Sequence, residues 1–542
     1  MRRLLRSGGR RGAPSGGGRG DAGPVIYEVN AHVWLHEVGR RQGAGGPVGL
    51  GEVPSHEWDG ITPPGVDAVW LMGIWERSPV AVRMALGSPG QMAELLDILP
   101  DLVPADVLGS AYSIRRYEVD ARLGGRAGLA RARAALAARG VRLIVDFVPN
   151  HVAPDHPWLA EHPDRFVRGS ADDLAGEPDA FLATGDDGLV VARGRDPHFP
   201  PWSDVVQLDA FAPGYRQAAI DTLVDIGRQA DGVRCDMAML LLDDVFSGTW
   251  GDRVGPPPGR EFWTEVIEAV RAEHPDFLFV AEVYWDLERR LSELGFDHGY
   301  DKPLYDRLVH GGPAELVRHL DGAGARQRHL LRFIENHDEP RAAATFAPGH
   351  ERAVAAAVAT LPGAVLWHEG QFDGRRVRVP VHIGRRPDEP LDDERRAFHL
   401  ELLAAAARVR RGTWARCATT GWAGSHGDQL VAWSWTAGHG ADDGGRDGDR
   451  RDGDGRDGDG RDGGGSGERS LVVVNLGEAV AAARIHLPWT DLAGRPWRLD
   501  DLASGQVFPR DGDRLADEGL YVELAPWGHH LLVWTPDPAL VP

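Results

Sequence analysis

Asp236 and Glu282 are two carboxylates, each placed where a short apolar run turns abruptly polar. A carboxylate pair brought to one site suits glycosidic-bond chemistry: one group attacks or stabilises the sugar carbon and the other protonates the leaving oxygen. The two tasks require opposite protonation states. Arg234 stands two residues before Asp236, and in a strand positions i and i+2 face the same side, so its guanidinium favours the charged form of Asp236. Glu282 ends an apolar run and lies close to Trp285, a setting that raises a carboxyl pKa and keeps the group protonated. These neighbours predict a nucleophile at Asp236 and an acid/base at Glu282.

Four segments in one fixed order deliver such polar residues: Val141–His151, Asp231–Ala238, Phe277–Trp285 and Leu331–Pro340. Each opens with an apolar, β-branched run that reads as a strand buried on both faces. Parallel strands ending in charged groups at one rim describe the catalytic face of a barrel. Taken singly, each segment has a plain structural reading. Asp146 serves as a strand-end residue, and His337–Asp338 as a helix cap before Glu339 and Pro340. Their joint occurrence, at barrel-like spacing, carries the specificity.

The elements that must position these residues follow the same rhythm. Val25–Asn30 and Ala68–Ile74 read as the first two strands, and Leu123–Arg139 as a helix stopped by Gly140. Helices are expected at Tyr215–Gln229, Glu261–Glu273, Leu287–Leu294, Arg352–Thr360 and Asp393–Arg410, with a last barrel strand at Ala364–Gly370. Alternation of strand and helix indicates a parallel sheet with right-handed crossovers. The predicted fold is α/β: a (β/α)8 TIM barrel over residues 24–411, with an irregular insertion at 152–207. Roughly 380 residues exceed a bare barrel of about 250, which is why insertions are required. Residues 412–542 change texture to short strands and read as an antiparallel β-sandwich, with Leu430–Thr436, Leu471–Asn475, Ala483–Leu487, Leu520–Leu524 and His530–Trp534 as strands. Residues 1–23 read as a disordered basic tail, and the Gly/Asp/Arg run within 438–468 as a disordered loop.

Composition narrows the classes of function. The 542-residue chain has 42% hydrophobic residues and 18 tryptophans, which suits a globular protein of more than one unit. Its formal net charge of −21 disfavours nucleic acid and anionic membrane as partners and is compatible with a neutral substrate. Only two cysteines occur, Cys235 and Cys417, which excludes a disulfide framework and a thiolate metal cage. Alternation points Cys235 away from its polar neighbours, into barrel packing. With no apolar run long enough to span a membrane and no signal-peptide core, a cytoplasmic location is expected.

With these residues in place, the chain resembles the α-amylase family, glycoside hydrolase family 13, over roughly Val25–Pro542. Asp146, Asn150 and His151 match its first signature region, Arg234 and Asp236 the second, Glu282 the third, and His337 and Asp338 the fourth. The resemblance implies Asp236 as nucleophile, Glu282 as acid/base and Asp338 as the group that grips and distorts the ring at subsite −1. It implies that His151 and His337 bind that sugar and that Asp146 orients Arg234. Ser110–Gly125 is similar to the family's tyrosine segment, which makes Tyr112 a stacking platform. Trp285 and Trp75, close to strand ends, are further stacking candidates. The insertion corresponds to the family's domain B. Several positions depart from the family pattern. Met239 and Leu240 stand where many endo-acting α-amylases have Lys-His, Met237 follows the nucleophile, Arg116 replaces a usual Asp, and Val206–Pro213 blurs the domain B signature. Asn150 matches a calcium-ligand position of calcium-dependent members, but the Lys-His pair that goes with it is replaced by Met239 and Leu240; no cofactor is expected, with calcium as the alternative.

The expected activity is that of a retaining α-glucan-active glycoside hydrolase working through a covalent glycosyl-enzyme intermediate. The same apparatus serves a glucan transferase, a trehalose-synthase-like isomerase or a sucrose-type phosphorylase, which differ in what intercepts the intermediate. An inactive glucan-binding scaffold is a third reading, though such a protein would be expected to lose one of Asp236, Glu282 and Asp338, and all three are present. Linkage preference, endo or exo action and oligomeric state are left open by the sequence.

Overall fold

The computed structural model describes residues 20–184, 188–438 and 468–537. By internal packing the chain divides into two units. One holds residues 23–404; the other joins 20–22 to 405–438 and 468–537. Residues 439–467 of the expected disordered loop at 438–468 and most of the expected N-terminal tail, residues 1–19, lie outside the described residues.

The first unit is a closed barrel of parallel strands. In chain order these are β1 (Ala22–Asn30), β2 (Ala68–Met72), β3 (Arg142–Phe147), β4 (Gly232–Cys235), β5 (Leu278–Ala281), β6 (His298–Tyr300), β7 (Leu330–Arg332) and β8 (Gly363–His368). Each strand pairs with its sequence neighbours and β8 closes against β1, the arrangement that right-handed strand–helix crossovers produce. The strands are short and almost wholly buried, because helices cover one face and the barrel interior the other. β1 begins at Ala22, three residues before the expected start at Val25 and inside the stretch assigned to the tail. β6 is an element the sequence reading did not contain, and so are the helices Lys302–His310 and Pro313–Ala323 that follow it. Before β3, the helix Gly125–Ala137 ends where Gly140 takes a left-handed φ of 74° and the Val141 amide reaches back to the Leu136 carbonyl.

Two excursions rise from the strand ends of this unit. Trp75–Arg77 pairs antiparallel with Ile114–Val119, and Tyr112 sits just before the second of these strands. The stretch between β3 and the helix Pro213–Gln229 is pinned at its base, where His151–Val152 pairs with Val206–Gln207. Farther out, Phe181–Thr184 forms a hairpin with Leu189–Ala192.

The second unit is an antiparallel sheet of eight strands: β9 (Thr413–Thr420), β10 (Leu430–Thr436), β11 (Arg469–Asn475), β12 (Ala481–His486), β13 (Pro496–Asp501), β14 (Val507–Asp511), β15 (Leu520–Leu524) and β16 (His529–Pro536). Their spatial order is β14-β13-β16-β11-β10-β9-β12-β15. β9 is the hinge of the sheet. Thr413–Cys417 pairs with β10, and Ala418–Thr420 with β12. The sheet folds on itself there and encloses one apolar cluster that includes Leu471, Val473, Ile485, Trp497, Leu520 and Trp534. Strands β9, β13 and β14 were absent from the sequence reading.

Candidate active site

The ends of β3, β4, β5 and β7 bring the marked residues to one rim. Register places Arg234 between Asp146 on one neighbour and Val280 on the other, so the guanidinium stands centrally among the strand ends. Arg234 is 1% exposed. Its Nη1 donates to Asp236 Oδ1 at 2.8 Å and its Nη2 lies 2.8 Å from Glu282 Oε2. The rings of Trp70, Tyr112 and Tyr300 surround the same guanidinium, with centroids 5.2, 5.1 and 5.8 Å from Cζ. One buried cation therefore holds both carboxylates of the expected pair.

Glu282 is fixed by three further contacts. The Tyr284 hydroxyl donates to Oε1 at 2.8 Å, and the Met237 amide donates to Oε2 at 2.7 Å. Met237 reaches that amide geometry with a left-handed φ of 43°, a conformation that costs a side-chain-bearing residue roughly 1–2 kcal/mol. The Ala238 amide then bonds the Glu282 carbonyl at 3.0 Å, locking the turn after β4 onto β5.

Burial governs the charges of the pair. It drives Glu282 up to about 7, against the pull of Arg234 and with the help of Asp236 and Asp338. Arg234 favours the charged form of Asp236, as its spacing implied, but burial outweighs it and raises the carboxyl. The raised Glu282 carboxyl follows the direction its apolar run implied, with burial as the largest cause; Trp285 is 37% exposed and is not among the causes.

Asp338 occupies the opposite side of the mouth, its side chain 45% exposed. Surrounding protein works against its charge, but His337 outweighs this and holds the carboxyl down to about 2. His337 Nε2 lies 3.1 Å from Asp338 Oδ2 and 2.7 Å from the Tyr112 hydroxyl, and its Nδ1 bonds the Glu28 carboxylate. The Tyr112 ring lies nearly parallel to the His337 ring, with centroids 5.6 Å apart.

The remaining expected residues sit behind this front. Asp146 accepts from the Trp70 indole at 3.1 Å and from the Gly73 amide at 2.8 Å, so both its oxygens are engaged away from Arg234. Its expected role of orienting Arg234 is thereby reduced to a charge facing the guanidinium. His151 is buried against Trp202 and bonds the Tyr112 backbone; burial lowers its pKa to about 4 and leaves the ring neutral. The Asn150 side chain pairs with Gln207, whose Nε2 donates to Asn150 Oδ1 at 2.8 Å. This is a neutral amide pair. Among the described residues no group of three or more His, Cys, Asp and Glu side chains is arranged to hold a metal ion. Trp75 is buried and donates its indole N–H to the Asp146 carbonyl at 2.7 Å, so it packs beneath the rim and is not a stacking surface. Trp285, with Phe199, Met237, Tyr284 and Lys302, lines an open cavity of about 920 Å³ beside Glu282. Cys235 is fully buried, as alternation required.

Four contributors escaped the sequence reading: Glu28, Trp70, Tyr284 and Tyr300. Glu28 carried a usable signal, since it interrupts the apolar run VIYEVN of a strand buried on both faces. Tyr284 lies two residues from Glu282 on the same segment. Tyr300 belongs to β6, whose three residues carry no pattern.

No family model matches the chain. Among curated proteins it is similar to "Alpha-amylase MalA" of Haloarcula japonica, 26% identical over 304 residues, which cover 53% of this chain and 39% of that protein. It is also similar to the "Alpha-1,4-glucan:maltose-1-phosphate maltosyltransferase" of Pseudomonas aeruginosa, 28% identical over 203 residues, 35% of this chain and 25% of that protein. The chain thus spans well under half the length of either relative. Its fold is that of solved α-amylases. The noncanonic maltogenic α-amylase AmyB of Thermotoga neapolitana superposes with a TM-score of 0.62 at 17% identity, covering 94% of this chain and 98% of that one. The α-amylase of Geobacillus thermoleovorans, complexed with acarbose, gives 0.60 at 18% identity over 94% and 98%. The chain is thus similar in sequence to α-amylases and to maltosyltransferases and shares the fold of solved α-amylases, with no subgroup singled out.

Proposed function

We propose that the protein is a retaining glycoside hydrolase acting on α-glucosidic bonds of oligo- or polysaccharides. The observation that carries this is the pair of buried carboxylates joined to one guanidinium, with Glu282 held near neutrality. One guanidinium meets both carboxylates at 2.8 Å, which sets them on one site within reach of the same sugar carbon, as a retaining pair requires. Asp236 attacks the anomeric carbon while the proton on Glu282 passes to the departing oxygen. The resulting Glu282 carboxylate then takes a proton from the incoming water as the glycosyl–Asp236 bond breaks. Asp338 grips the sugar hydroxyls from the exposed side, with His337, His151 and Tyr112 completing the sugar site. Calcium has no step in this reading, because the Asn150 amide is matched by Gln207 and the pair offers no carboxylate to a hard cation.

A second reading keeps the intermediate and replaces water with another acceptor. The maltosyltransferase relatives favour it. Incubation with maltooligosaccharides, sucrose and trehalose, with and without phosphate, separates the two. Net reducing-end release with the α-anomer formed first is the expected result. Chain redistribution, interconversion of disaccharides or a sugar phosphate would assign transfer, and a β-anomeric first product would sink the retaining mechanism.

A further inference from the structure

The innermost carboxylate of the site, Glu28 on β1, has no task in the chemistry above. It is fully buried, its Oε1 bonds His337 Nδ1, and its Oε2 has no hydrogen-bond partner. A carboxylate removed from water with one oxygen unmatched is costly unless a cation compensates it. His337 is placed to be that cation. Its Nδ1 faces Glu28 and its Nε2 faces Asp338. Nε2 also lies 2.7 Å from the Tyr112 hydroxyl, and a carboxylate on each side of the ring favours its doubly protonated form.

We propose that Glu28 is a positioning residue which, from inside the barrel, fixes His337 as an imidazolium and through it aims Asp338 at the sugar. The inference rests on the reading of Asp338 as the group that grips the substrate. The groups facing His337 favour its charge. Glu28 stands on β1, Asp338 and the Tyr112 hydroxyl meet Nε2, Asp146 on β3 acts from behind, and Trp70 on β2 packs edge-on at 5.6 Å. Arg234 opposes them across the Trp70 and Tyr112 rings, but its guanidinium is already committed to Asp236 and Glu282. Burial disfavours the charged ring, and Asp338 and Glu28 outweigh it, raising His337 well above the usual histidine range.

Glu28→Gln tests the proposal, because it keeps the side-chain shape and an oxygen for Nδ1–H while removing the charge. The readout is the ¹⁵N signature of His337 in histidine-labelled full-length protein, assigned by its loss in His337→Gln. The wild type is expected to show a doubly protonated ring near pH 7 and above, and Glu28→Gln a neutral one in the same range. On maltooligosaccharides, kcat/KM of Glu28→Gln should fall about tenfold at alkaline pH and recover toward acid pH as the ring regains its proton. Glu28→Asp should retain the imidazolium signature. A neutral His337 in the wild type overturns the proposal whatever the variants do. So does a Glu28→Gln protein with an unaltered signature and pH profile. An inactive wild type whose His337 responds as expected would sink the glucan-hydrolase reading and leave the Glu28–His337 relation standing.

Discussion

On one side of the barrel mouth Asp236 and Glu282 are buried and share Arg234; on the other, Asp338 stands about half exposed beside His337. Arg234 meets each of its carboxylates at 2.8 Å, yet both are raised. His337 lies slightly farther from Asp338, at 3.1 Å, and holds it to about 2. Proximity to a cation therefore does not decide the charge state. One guanidinium divided between two buried carboxylates leaves burial dominant, whereas one imidazolium beside a partly solvated carboxylate does not. For Glu282 and Asp338 the division suits the chemistry. A group near neutrality can exchange a proton, and a group far below neutrality stays an anion that binds hydroxyls.

The largest test of this contrast is Asp236→Asn. It retains the hydrogen bond to Arg234 and removes the nucleophile, so kcat on any α-glucoside should fall by on the order of 10⁴ or more, with little change in melting temperature. Near-wild-type turnover would overturn the assignment. Glu282→Gln comes next, with an expected loss of about 10²–10⁴ on unactivated substrates and much less on a substrate whose leaving group needs no protonation. The sign of the pH effect follows from the raised carboxyl. Glu282 is protonated below about 7 and ionised above it, so kcat/KM should decline as pH rises through that value. The limb should vanish in Glu282→Gln, and its persistence there would assign it to another group.

The sequence reading reached the chemical core because those residues interrupt apolar strands, and an interrupted strand is visible without coordinates. It lost β6 because His298–Tyr300 is three residues long and includes a glycine. Losing β6 also lost Tyr300 and the helices Lys302–His310 and Pro313–Ala323, which form one wall of the cavity beside Glu282. In the second unit β14 was missed because its face is largely exposed and its residues, Val507–Asp511, include a proline and two charges. At Asp236 spacing correctly set Arg234 alongside to favour the charge, but the burial that outweighs it, like the second claim of Glu282 on the same guanidinium, depends on how β4 lies against its neighbours and is not written in either segment.

The two tryptophans expected to stack on sugar separate along the same line of burial and exposure. Trp75 is 1% exposed and gives its indole N–H to the Asp146 carbonyl, so Trp75→Phe should cost about 1–3 kcal/mol of stability, read as a lower melting temperature, with KM unchanged. Trp285 keeps 37% of its surface in solvent and crosses His198 nearly at right angles, with centroids 4.7 Å apart, which leaves ring surface for a sugar to stack on. A stacking contact of about 0.5–1.5 kcal/mol predicts that Trp285→Ala raises KM for maltooligosaccharides between about twofold and tenfold. Because Trp285 lines the cavity, and Asp236 and Glu282 are not among the residues lining it, kcat should hold. Short substrates that do not reach the cavity should be indifferent to the change. A fall in kcat with KM constant would instead mean that Trp285 supports the turn carrying Glu282, and the contrast between the two tryptophans would dissolve.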